Sequence, residues 1–378
     1  MGNGSLFQMF SLDSRKYSFP FTREKGRKKL RSCSAMRASF LLLLLTFLVG
    51  LCDVEGDTDF RVCAFNLHHF GDSKSKKTNV MHTLVRIIAR CDVCLLQEVR
   101  DSQELAVPQL LRRLNSYDPE HDYASVSSER LGRTASYQEQ YVFVYRTDTA
   151  TLTGQYQYPD DRPGDVDAFA REPFVVRFNA PRTDIREFVL IPQHTTPTNT
   201  TKELDALYDV LQHVKTMWET EDVMLLGDFN ADCAYLAKKN RKYVRLLTQS
   251  ELYWLIPEKA DTTVRSTTSC TYDRIVVHGE RFSRAIVPFS AKPFNFQLEY
   301  RLTEEQALEV SDHYPVEVLL KDIAYKVGHK LMSKNDSPTC GFQRAKHTDN
   351  LEGFGVPCLV QDQDRQQKNT QQLTLTFI

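Results

Sequence analysis

The residues best suited to chemistry stand at the ends of apolar, strand-like segments. Asp312 and His313, within Ser311-Asp312-His313-Tyr314-Pro315-Val316, place a cation ligand beside a proton shuttle. Polar residues end or begin four further apolar runs: Leu95-Leu96-Gln97-Glu98, Ile191-Pro192-Gln193-His194, Leu225-Leu226-Gly227-Asp228-Phe229-Asn230 and Tyr272-Asp273-Arg274-Ile275-Val276. Strand ends are where α/β scaffolds present their sites. Taken together, the clusters indicate metal-assisted hydrolysis of a phosphoester.

Three of these residues are carboxylates suited to a hard cation. Glu98, Asp228 and Asp312 are oxygen ligands of the kind that Mg²⁺ or Mn²⁺ takes, and Asn66 and Asn230 stand as amide neighbours in similar positions. Mg²⁺ is usually held by one or two carboxylates together with water and substrate phosphate. Three acids around one or two ions therefore form a plausible site.

Two histidines are candidates for proton transfer. An imidazole titrates near pH ~6.5, so His194 and His313 can act as a base and acid pair. A working histidine usually has an acceptor on its second nitrogen, and Glu139 and Asp273 are the acids left for this role, although the sequence alone does not pair them. A single histidine is more often a surface or core residue; the five clusters together favour the catalytic interpretation. We interpret His68-His69 as a structural pair.

The elements that must position these residues alternate between strands and helices. Strand-like runs are Phe60–Asn66, Val93–Glu98, Tyr141–Tyr145, Phe174–Phe178, Glu187–Pro192, Asp222–Gly227, Tyr272–Val277 and Val316–Leu320. Helical spacing appears over Thr78–Arg90, Leu105–Leu114 and the segment that ends near Trp218. No internal repeat interrupts this order, which predicts an α/β fold. Long polar loops are predicted at Ser127–Gln140, Tyr156–Phe169 and Asp261–Ser269.

The charge of the chain differs between three regions. Residues 1–56 contain 9 basic and 4 acidic residues, residues 57–321 contain 32 and 39, and residues 322–378 contain 7 and 6. The middle region is therefore acidic by seven charges. A nucleic-acid enzyme with this balance cannot attract phosphates through its net field and needs local Arg clusters, divalent cations or both.

The first 56 residues have the features of a targeting segment. Phe40–Cys52 is an apolar run of 13 residues after a basic stretch, which suits a signal peptide and falls short of the ~20 residues of a membrane span. Met36 would open a signal peptide of ordinary length, and cleavage is expected before Asp57. The alternative is a type II signal anchor. We predict a catalytic domain over 57–321 and a disordered polar tail over 322–378.

The nine cysteines divide into groups. Cys233 and Cys270 lie in polar segments beside the Asp228 and Asp273 motifs and are the candidate disulfide. Cys63, Cys91 and Cys94 lie among apolar residues and are expected to be small core side chains. Asn199 and Asn335 begin glycosylation sequons, which apply if the chain is secreted.

The extended motifs resemble the deoxyribonuclease I family, in its deoxyribonuclease-I-like branch, within the endonuclease/exonuclease/phosphatase superfamily. The resemblance runs from about Phe60 to Leu320 and includes these stretches: Cys91-Asp92-Val93-Cys94-Leu95-Leu96-Gln97-Glu98-Val99-Arg100-Asp101, Phe169-Ala170-Arg171-Glu172-Pro173-Phe174, Gly227-Asp228-Phe229-Asn230-Ala231-Asp232-Cys233 and Ser311-Asp312-His313-Tyr314-Pro315-Val316-Glu317-Val318. It implies a four-layer α/β sandwich with two packed mixed β-sheets and the site at one edge.

The resemblance also implies roles for the candidate residues. Glu139 would orient His194, and Asp273 would orient His313. The ligand set Glu98, Asp228, Asp312, Asn66 and Asn230 would hold the catalytic ions and the scissile phosphate. The implied reaction is secreted, divalent-cation-dependent endonucleolytic cleavage of double-stranded DNA to 5′-phosphate ends with low sequence specificity.

Contacts with DNA and a structural ion follow from the same resemblance. Arg100, Tyr137 and Arg171 match residues that grip the minor groove; the alternative for Arg100 and Arg171 is a structural ion pair. The loop that contains Asp261 and Thr263 resembles a structural Ca²⁺ site of the family.

The chain differs from the founding member of the family at some positions, and these differences bear on its expected partners. Ser127 and Phe174 stand at positions that touch actin in the founding member, so actin inhibition is not expected. No apolar anchor appears in the tail, and a monomer in the secretory pathway or outside the cell is predicted. Two other functions remain open: a phosphatase or phosphodiesterase of the same fold acting on a lipid or nucleotide, and a non-catalytic binding module.

Overall fold

The computed structural model describes residues 60–161, 163–164 and 166–323. The leader, the Asn335 sequon and most of the tail lie outside this part of the chain. Within it, no helix combines the length and the apolar character that a membrane span requires.

The described chain alternates strands and helices, as the apolar patterning predicts. The strands are β1 (Phe60–Phe70), β2 (Val93–Val99), β3 (Tyr123–Ser127), β4 (Leu131–Thr134), β5 (Tyr137–Arg146), β6 (Thr151–Gln157), β7 (Phe174–Asn179), β8 (Glu187–Pro192), β9 (Val223–Asp228), β10 (Leu252–Trp254), β11 (Asp273–His278), β12 (Lys292–Pro293) and β13 (Val316–Leu320). The helices are α1 (Asp72–Ser75), α2 (Thr78–Ile88), α3 (Ala106–Tyr117), α4 (Thr200–Met217), α5 (Arg245–Thr248), α6 (Gly279–Ala285), α7 (Phe296–Glu299) and α8 (Glu304–Val310), with a 3-10 helix at Lys238–Tyr243.

The strands form two mixed sheets. The first has the order β12-β13-β1-β2-β5-β3, with β4 paired to β5, and the second has the order β10-β11-β9-β8-β7-β6. Strands β1 and β2 run parallel, as do β8 and β9, whereas the other pairs are antiparallel. The predicted pair of mixed sheets is thus confirmed.

Three apolar clusters divide the fold into four layers. One cluster lies between the sheets and includes Phe143, Phe178 and Phe188. A second packs α2 and α3 against the outer face of the first sheet, and a third packs α4 against the outer face of the second. Since each sheet is covered on both faces, its central strands are continuous apolar runs, and the polar residues are confined to their ends.

Two neighbouring strands of the first sheet, β1 and β13, bring the two ends of the described domain together. In the β1–β13 pair Phe60 is opposite Leu320, and Ala64 is opposite Val316. The start of β1 and the end of β13 therefore lie side by side. Asn66 and His313, which lie beyond Ala64 and Val316 in this antiparallel register, are at the other edge of the sheet.

One predicted loop contains strands instead, and a second begins at the end of a strand. The segment Ser127–Gln140 holds β4 and the first residues of β5, and Tyr156–Phe169 begins inside β6. Exposed and partly buried residues alternate along β6, which is the outermost strand of its sheet. Edge strands of this kind lack the apolar runs by which buried strands are identified, so the sequence predicted loops there.

A second disulfide corrects the prediction for two cysteines. Cys63 of β1 is bonded to Cys91, which follows α2, with the two Cα atoms 6.1 Å apart. Both residues are buried in an apolar cluster, which is why their neighbours suggested simple core packing. Cys94 does remain a buried free thiol, and burial raises its pKa.

Candidate active site

The predicted site residues meet at one edge, where the ends of β2, β8 and β9 lie beside the starts of β11 and β13. Gln97 joins the two sheets at this edge: its Nε2 donates to Gln193 O at 2.8 Å, and its Oε1 accepts from Asp228 N at 2.9 Å. Gly227 allows this approach, because a Cβ there would lie 2.5 Å from Gln193 O, and its φ is +129°. The hydrogen bonds of Gln97 therefore fix the ends of β2, β8 and β9 relative to one another.

His194 follows β8 and is tied to Glu139 of β5. Its Nδ1 lies 2.5 Å from Glu139 Oε1, so Nε2 points to the cleft, 3.5 Å from Asp228 Oδ2. Burial and the charge of Arg171 lower the pKa of His194, but Glu139 and Asp228 outweigh both and raise it. This carboxylate fixes the ring and its tautomer, as an orienting acceptor does.

His313 precedes β13 and is tied to Asp273 at the start of β11. Its Nδ1 lies 2.7 Å from Asp273 Oδ2, and its Nε2 lies 3.7 Å from Asp228 Oδ2. Burial lowers the pKa of His313, but Asp273 and Asp228 dominate and raise it well above 6.5. The Ser311 hydroxyl fixes the turn by donating to Asn66 O at 2.7 Å and accepting from His313 N at 3.0 Å.

Asp228 and Glu98 share one amide donor. Asn66 Nδ2 lies 3.1 Å from both Glu98 Oε1 and Asp228 Oδ2. Burial opposes ionisation of Glu98, but hydrogen bonding from His69 and the charge of His194 lower its pKa. Glu98 has φ +54°, a left-handed backbone that side chains rarely adopt and that costs about 1–3 kcal/mol. Two carboxylates therefore lie together at the centre of the site.

The histidine pair after Asn66 also lies at this edge, contrary to our structural interpretation. His69 Nδ1 is 2.9 Å from Glu98 Oε2, and His68 Nδ1 is 3.7 Å from Asp312 Oδ1. Both residues have positive φ, 47° for His68 and 62° for His69. In the sequence, the only indication of this placement was that the two histidines stand two and three residues after Asn66.

Asn230 lies behind Asp228. Its backbone N–H donates to Asp228 Oδ1 at 3.1 Å, and its Nδ2 donates to Thr195 O at 3.1 Å. The φ of Asn230 is +48°. This residue therefore links the segment after β9 to the segment that carries His194.

Arg171 lies beneath the His194 pair. Its Nε donates to His194 O at 3.0 Å and lies 3.1 Å from Glu139 Oε1. The hydroxyl of Tyr141 completes the arrangement, since it accepts from His194 N at 2.9 Å and donates to Arg171 O at 3.3 Å. Only 8% of the Arg171 side chain is exposed, and it forms an ion pair with Glu139; its contact with DNA stays a prediction.

Arg100, which follows β2, and Tyr137, which begins β5, lie together beside the site. The guanidinium of Arg100 is 4.2 Å from the centroid of the Tyr137 ring, and 42% of Tyr137 is exposed. Arg100 Nη1 also lies 3.3 Å from His69 Nδ1. A cation and an aromatic face are thus presented next to Glu98.

The loop that contains Asp261 is connected to the His313 turn. Asp261 Oδ1 accepts from the backbone N and the hydroxyl of Thr263, at 3.0 and 2.6 Å. Val264 N donates to Asp312 O at 2.9 Å. Cys233 is disulfide-bonded to Cys270, which joins this loop to the segment after β9.

The most compact set of titratable ligands differs from the predicted carboxylate trio. Donor atoms of Asp228, Asp273 and His313 all lie within 4.8 Å of one another, whereas Glu98 and Asp312 stand further out around them. Sequence reasoning missed a second set of the same compactness, which is Asp160, Asp167 and Glu172. Asp160 and Asp167 lie in the predicted polar loop Tyr156–Phe169, and Glu172 follows it; isolated carboxylates in such segments carry no distinctive signal.

Known proteins are similar to this chain over most of its length. The family model described as the Endonuclease/Exonuclease/phosphatase family matches residues 63–313. Deoxyribonuclease-1-like 1 of Cricetulus griseus is 47% identical over 78% of this chain and 92% of its own. Deoxyribonuclease-1 of Sus scrofa is 46% identical (76% and 99%), and deoxyribonuclease gamma of Rattus norvegicus is 44% identical (75% and 90%).

Proposed function

Because this chain belongs to the deoxyribonuclease I family, within the endonuclease/exonuclease/phosphatase superfamily, it is a DNA-hydrolysing enzyme, and we propose that it is a secreted, divalent-cation-dependent endonuclease. It cuts double-stranded DNA with low sequence specificity and leaves 5′-phosphate ends. His194 and His313 act as its acid and base.

The observation that carries the mechanism is the convergence of the two histidines. Their Nε2 atoms lie 3.5 and 3.7 Å from the same oxygen, Oδ2 of Asp228, and each Nδ1 is held by a separate carboxylate. A scissile phosphate beside Asp228 would lie between two oriented imidazoles. One would take a proton from the attacking water, and the other would give a proton to the departing 3′-oxygen.

The donor set fits a hard divalent cation. Glu98, Asp228 and Asp312 supply carboxylate oxygens, and Asn66 already donates its amide hydrogens to two of these acids. The concentrated negative charge would otherwise repel a phosphodiester. When bound, Mg²⁺ or Mn²⁺ supplies the positive charge that neutralises phosphoryl oxygens. Asn230 would hold the Asp228 segment in place.

We assign Ca²⁺ a structural role at the loop of Asp261 and Thr263. The loop offers carboxylate, hydroxyl and backbone oxygens, which suit this ion. It contacts the His313 turn through the Val264–Asp312 hydrogen bond and is tied to β9 by the Cys233–Cys270 bridge. Calcium there would stabilise the site without taking part in the reaction.

Arg100 and Tyr137 are the proposed groove contacts on the first sheet. Both face the open side of the cleft beside Glu98, and exposed Arg and aromatic side chains suit a DNA minor groove. Arg171, which is buried under His194, supports the orientation of Glu139, and its contact with the minor groove stays a prediction. A monomer is sufficient for this arrangement, since each proposed catalytic group comes from one chain.

Secretion is supported by the chemistry of the domain. Two disulfides, Cys63–Cys91 and Cys233–Cys270, persist in an oxidising compartment. The Asn199 and Asn335 sequons and the apolar run before residue 57 agree with export.

Supercoiled plasmid provides the direct test. The secreted protein is incubated with plasmid in Mg²⁺ plus Ca²⁺ and in excess chelator, beside His313→Ala. We expect nicking that requires the cations and His313, with product ends that a ligase rejoins, since ligation needs a 5′-phosphate. Cleavage in chelator, or by His313→Ala at the normal rate, would contradict the proposal.

A further inference from the structure

A groove lies near the site, on the surface of the second sheet's half of the domain. A cavity of about 770 Å³ lies between the start of α4 and the segment after β9. Pro197, Asn199 and Lys202 line one wall, and Tyr235, Asn240 and Tyr243 line the other. Of the Tyr243 side chain, 61% is exposed. The groove is formed by segments that follow β8 and β9 of the second sheet, whereas Arg100 follows β2 and Tyr137 begins β5 of the first sheet.

A row of aromatic rings connects the groove to the catalytic centre. The ring of Tyr235 lies 5.2 Å from that of Tyr272, and Tyr272 lies 6.3 Å from the ring of His313. On the opposite wall, Pro197 stands three residues after His194. A long polymer that crosses the site therefore has a direct path into the groove.

Three lysines next to this groove have no acidic partner. Lys238, Lys239 and Lys242 belong to the 3-10 helix that follows Ala237, and all three are exposed. In the part of the chain that the structure describes, none lies within 4.0 Å of a carboxylate, although Arg241 of the same segment pairs with both Asp232 and Glu258.

The one acid that lines the groove is already paired. Asp205 accepts hydrogen bonds from Arg245, with Oδ2 2.9 Å from Nη2. Arg245 also binds Asp209, just as Arg241 binds two acids, so the three lysines are the positive charges of this surface that no acid pairs in the described chain. They stand in a domain region that is acidic by seven charges overall. Such a local cationic surface is complementary to a line of phosphates.

We propose that this groove, with Lys238, Lys239 and Lys242, binds the backbone phosphates of the DNA duplex beyond the scissile bond. This inference rests on the proposed function and extends it. The duplex is held on two sides of Asp228: through its minor groove at Arg100 and Tyr137, and through phosphate charge at the lysines. Since phosphate contacts carry no base information, this surface adds affinity without adding sequence specificity.

The test measures the salt dependence of cleavage with the full chain. The triple variant Lys238→Gln, Lys239→Gln and Lys242→Gln is compared with wild type on a 30-base-pair duplex across a range of NaCl concentrations. Log affinity falls as log salt rises, and each phosphate contact contributes about 0.9 to the steepness of this fall. The triple variant should therefore show a plot of log kcat/KM against log salt that is less steep by roughly 2–3. At ~0.15 M salt its kcat/KM on duplex should fall by about tenfold or more.

Three comparisons make the result specific. Replacing the same lysines with Arg keeps the charge and should restore the slope. Arg112→Gln with Arg113→Gln removes two charges from α3, on the outer face of the other sheet, and should leave the slope unchanged. Bis(p-nitrophenyl) phosphate has no flanking phosphates, so its hydrolysis by the triple variant should stay within about twofold of wild type.

The outcomes separate this inference from the proposed function. A triple variant with the wild-type slope on duplex overturns the phosphate-binding role of the lysines. An equal loss on duplex and on the small diester also overturns it, because the lysines would then act on the catalytic centre. If wild type hydrolyses the small diester and leaves DNA intact, the endonuclease proposal itself fails.

Discussion

The guanidinium of Arg171 is paired with the carboxylate of Glu139 inside the protein. Arg171 Nε lies 3.1 Å from Glu139 Oε1, the oxygen that also faces His194 Nδ1, and the two side chains are only 8% and 3% exposed. The arginine therefore supports an acceptor that the proposed mechanism needs.

Removing this arginine should affect both stability and rate. Arg171→Met leaves Glu139 charged and buried without its arginine partner, which costs about 3–5 kcal/mol of unfolding free energy. The double variant Glu139→Gln with Arg171→Met removes both charges and should recover much of that loss, while activity stays low. Urea unfolding and plasmid nicking measure the two effects.

An exposed ion pair provides the control for this experiment. Arg177 pairs with Glu187 at the surface, so Arg177→Met should cost about 0–1 kcal/mol and leave the rate unchanged. If Arg171→Met is as stable as Arg177→Met, the buried pair does not have the role assigned to it.

The two histidines of the proposed mechanism should be separately essential. His194→Ala and His313→Ala are each expected to lower kcat by about 10²–10⁴, because general acid–base catalysis contributes that much. His121 is a partly exposed histidine paired with Asp148 at 2.8 Å, and His121→Ala should keep the wild-type rate. Circular dichroism and unfolding curves would establish that each variant is folded. Wild-type kcat in either catalytic variant would rule out the two-histidine mechanism.

The Cys63–Cys91 bridge should be a major source of stability. The pair closes a loop of 28 residues, so Cys63→Ala with Cys91→Ala should cost roughly 3–4 kcal/mol in the chain-entropy account. Cys94→Ala removes one buried sulfur atom and should cost only about 1 kcal/mol. Urea unfolding compares the three proteins. A double variant no less stable than Cys94→Ala would show that the bridge contributes little.

Stability without metal should depend on pH through His313. Its folded-state pKa lies well above 6.5 because Asp273 and Asp228 outweigh burial. The stabilisation is thus fully present below the unfolded-state pKa, and it is lost as the pH rises through the folded-state pKa. In chelator, the difference in unfolding free energy between wild type and His313→Gln should shrink as the pH rises. A difference that is constant from pH ~5 to ~9 would contradict this expectation.

A glycan at Asn199 should weaken DNA cleavage. Asn199 lines the groove beside the three unpaired lysines, so a glycan attached there would occupy the path proposed for the duplex. Asn199→Gln, in protein from a secretory host, should raise kcat/KM on duplex at ~0.15 M salt severalfold and steepen its salt dependence. Thr201→Ala removes the same sequon with Asn199 in place and should behave identically. A change in only one of the two variants would trace the effect to the substitution and not to the glycan.

The sequence predicted the parts of the site that a short pattern can encode. Glu98 and Asp228 end buried apolar strands, where an unpaired carboxylate is conspicuous, and both lie at the cleft. The strands Glu187–Pro192 and Val316–Leu320 were predicted with the bounds that the structure gives them. Strong apolar patterning therefore located the buried elements and, through their ends, the site.

Features that depend on contacts between distant segments were not predictable in this way. His68 and His69 reach Asp312 and Glu98 because the chain bends through left-handed backbone within β1, and their side chains alone do not indicate that bend. Cys63 and Cys91 meet because the packing of α2 on β1 returns the chain to the sheet. Strand β4 gains its stability from pairing with β5, so its own residues show no apolar alternation.

The pairing of Phe60 with Leu320 has a consequence for protein engineering. The two ends of the catalytic domain are neighbours at the edge away from His313, so a short linker could join them without crossing the cleft. New termini could then be opened at an exposed turn such as Pro163–Gly164. The same geometry means that a fusion partner or a surface tether attached at either end would leave the catalytic edge free to meet a duplex.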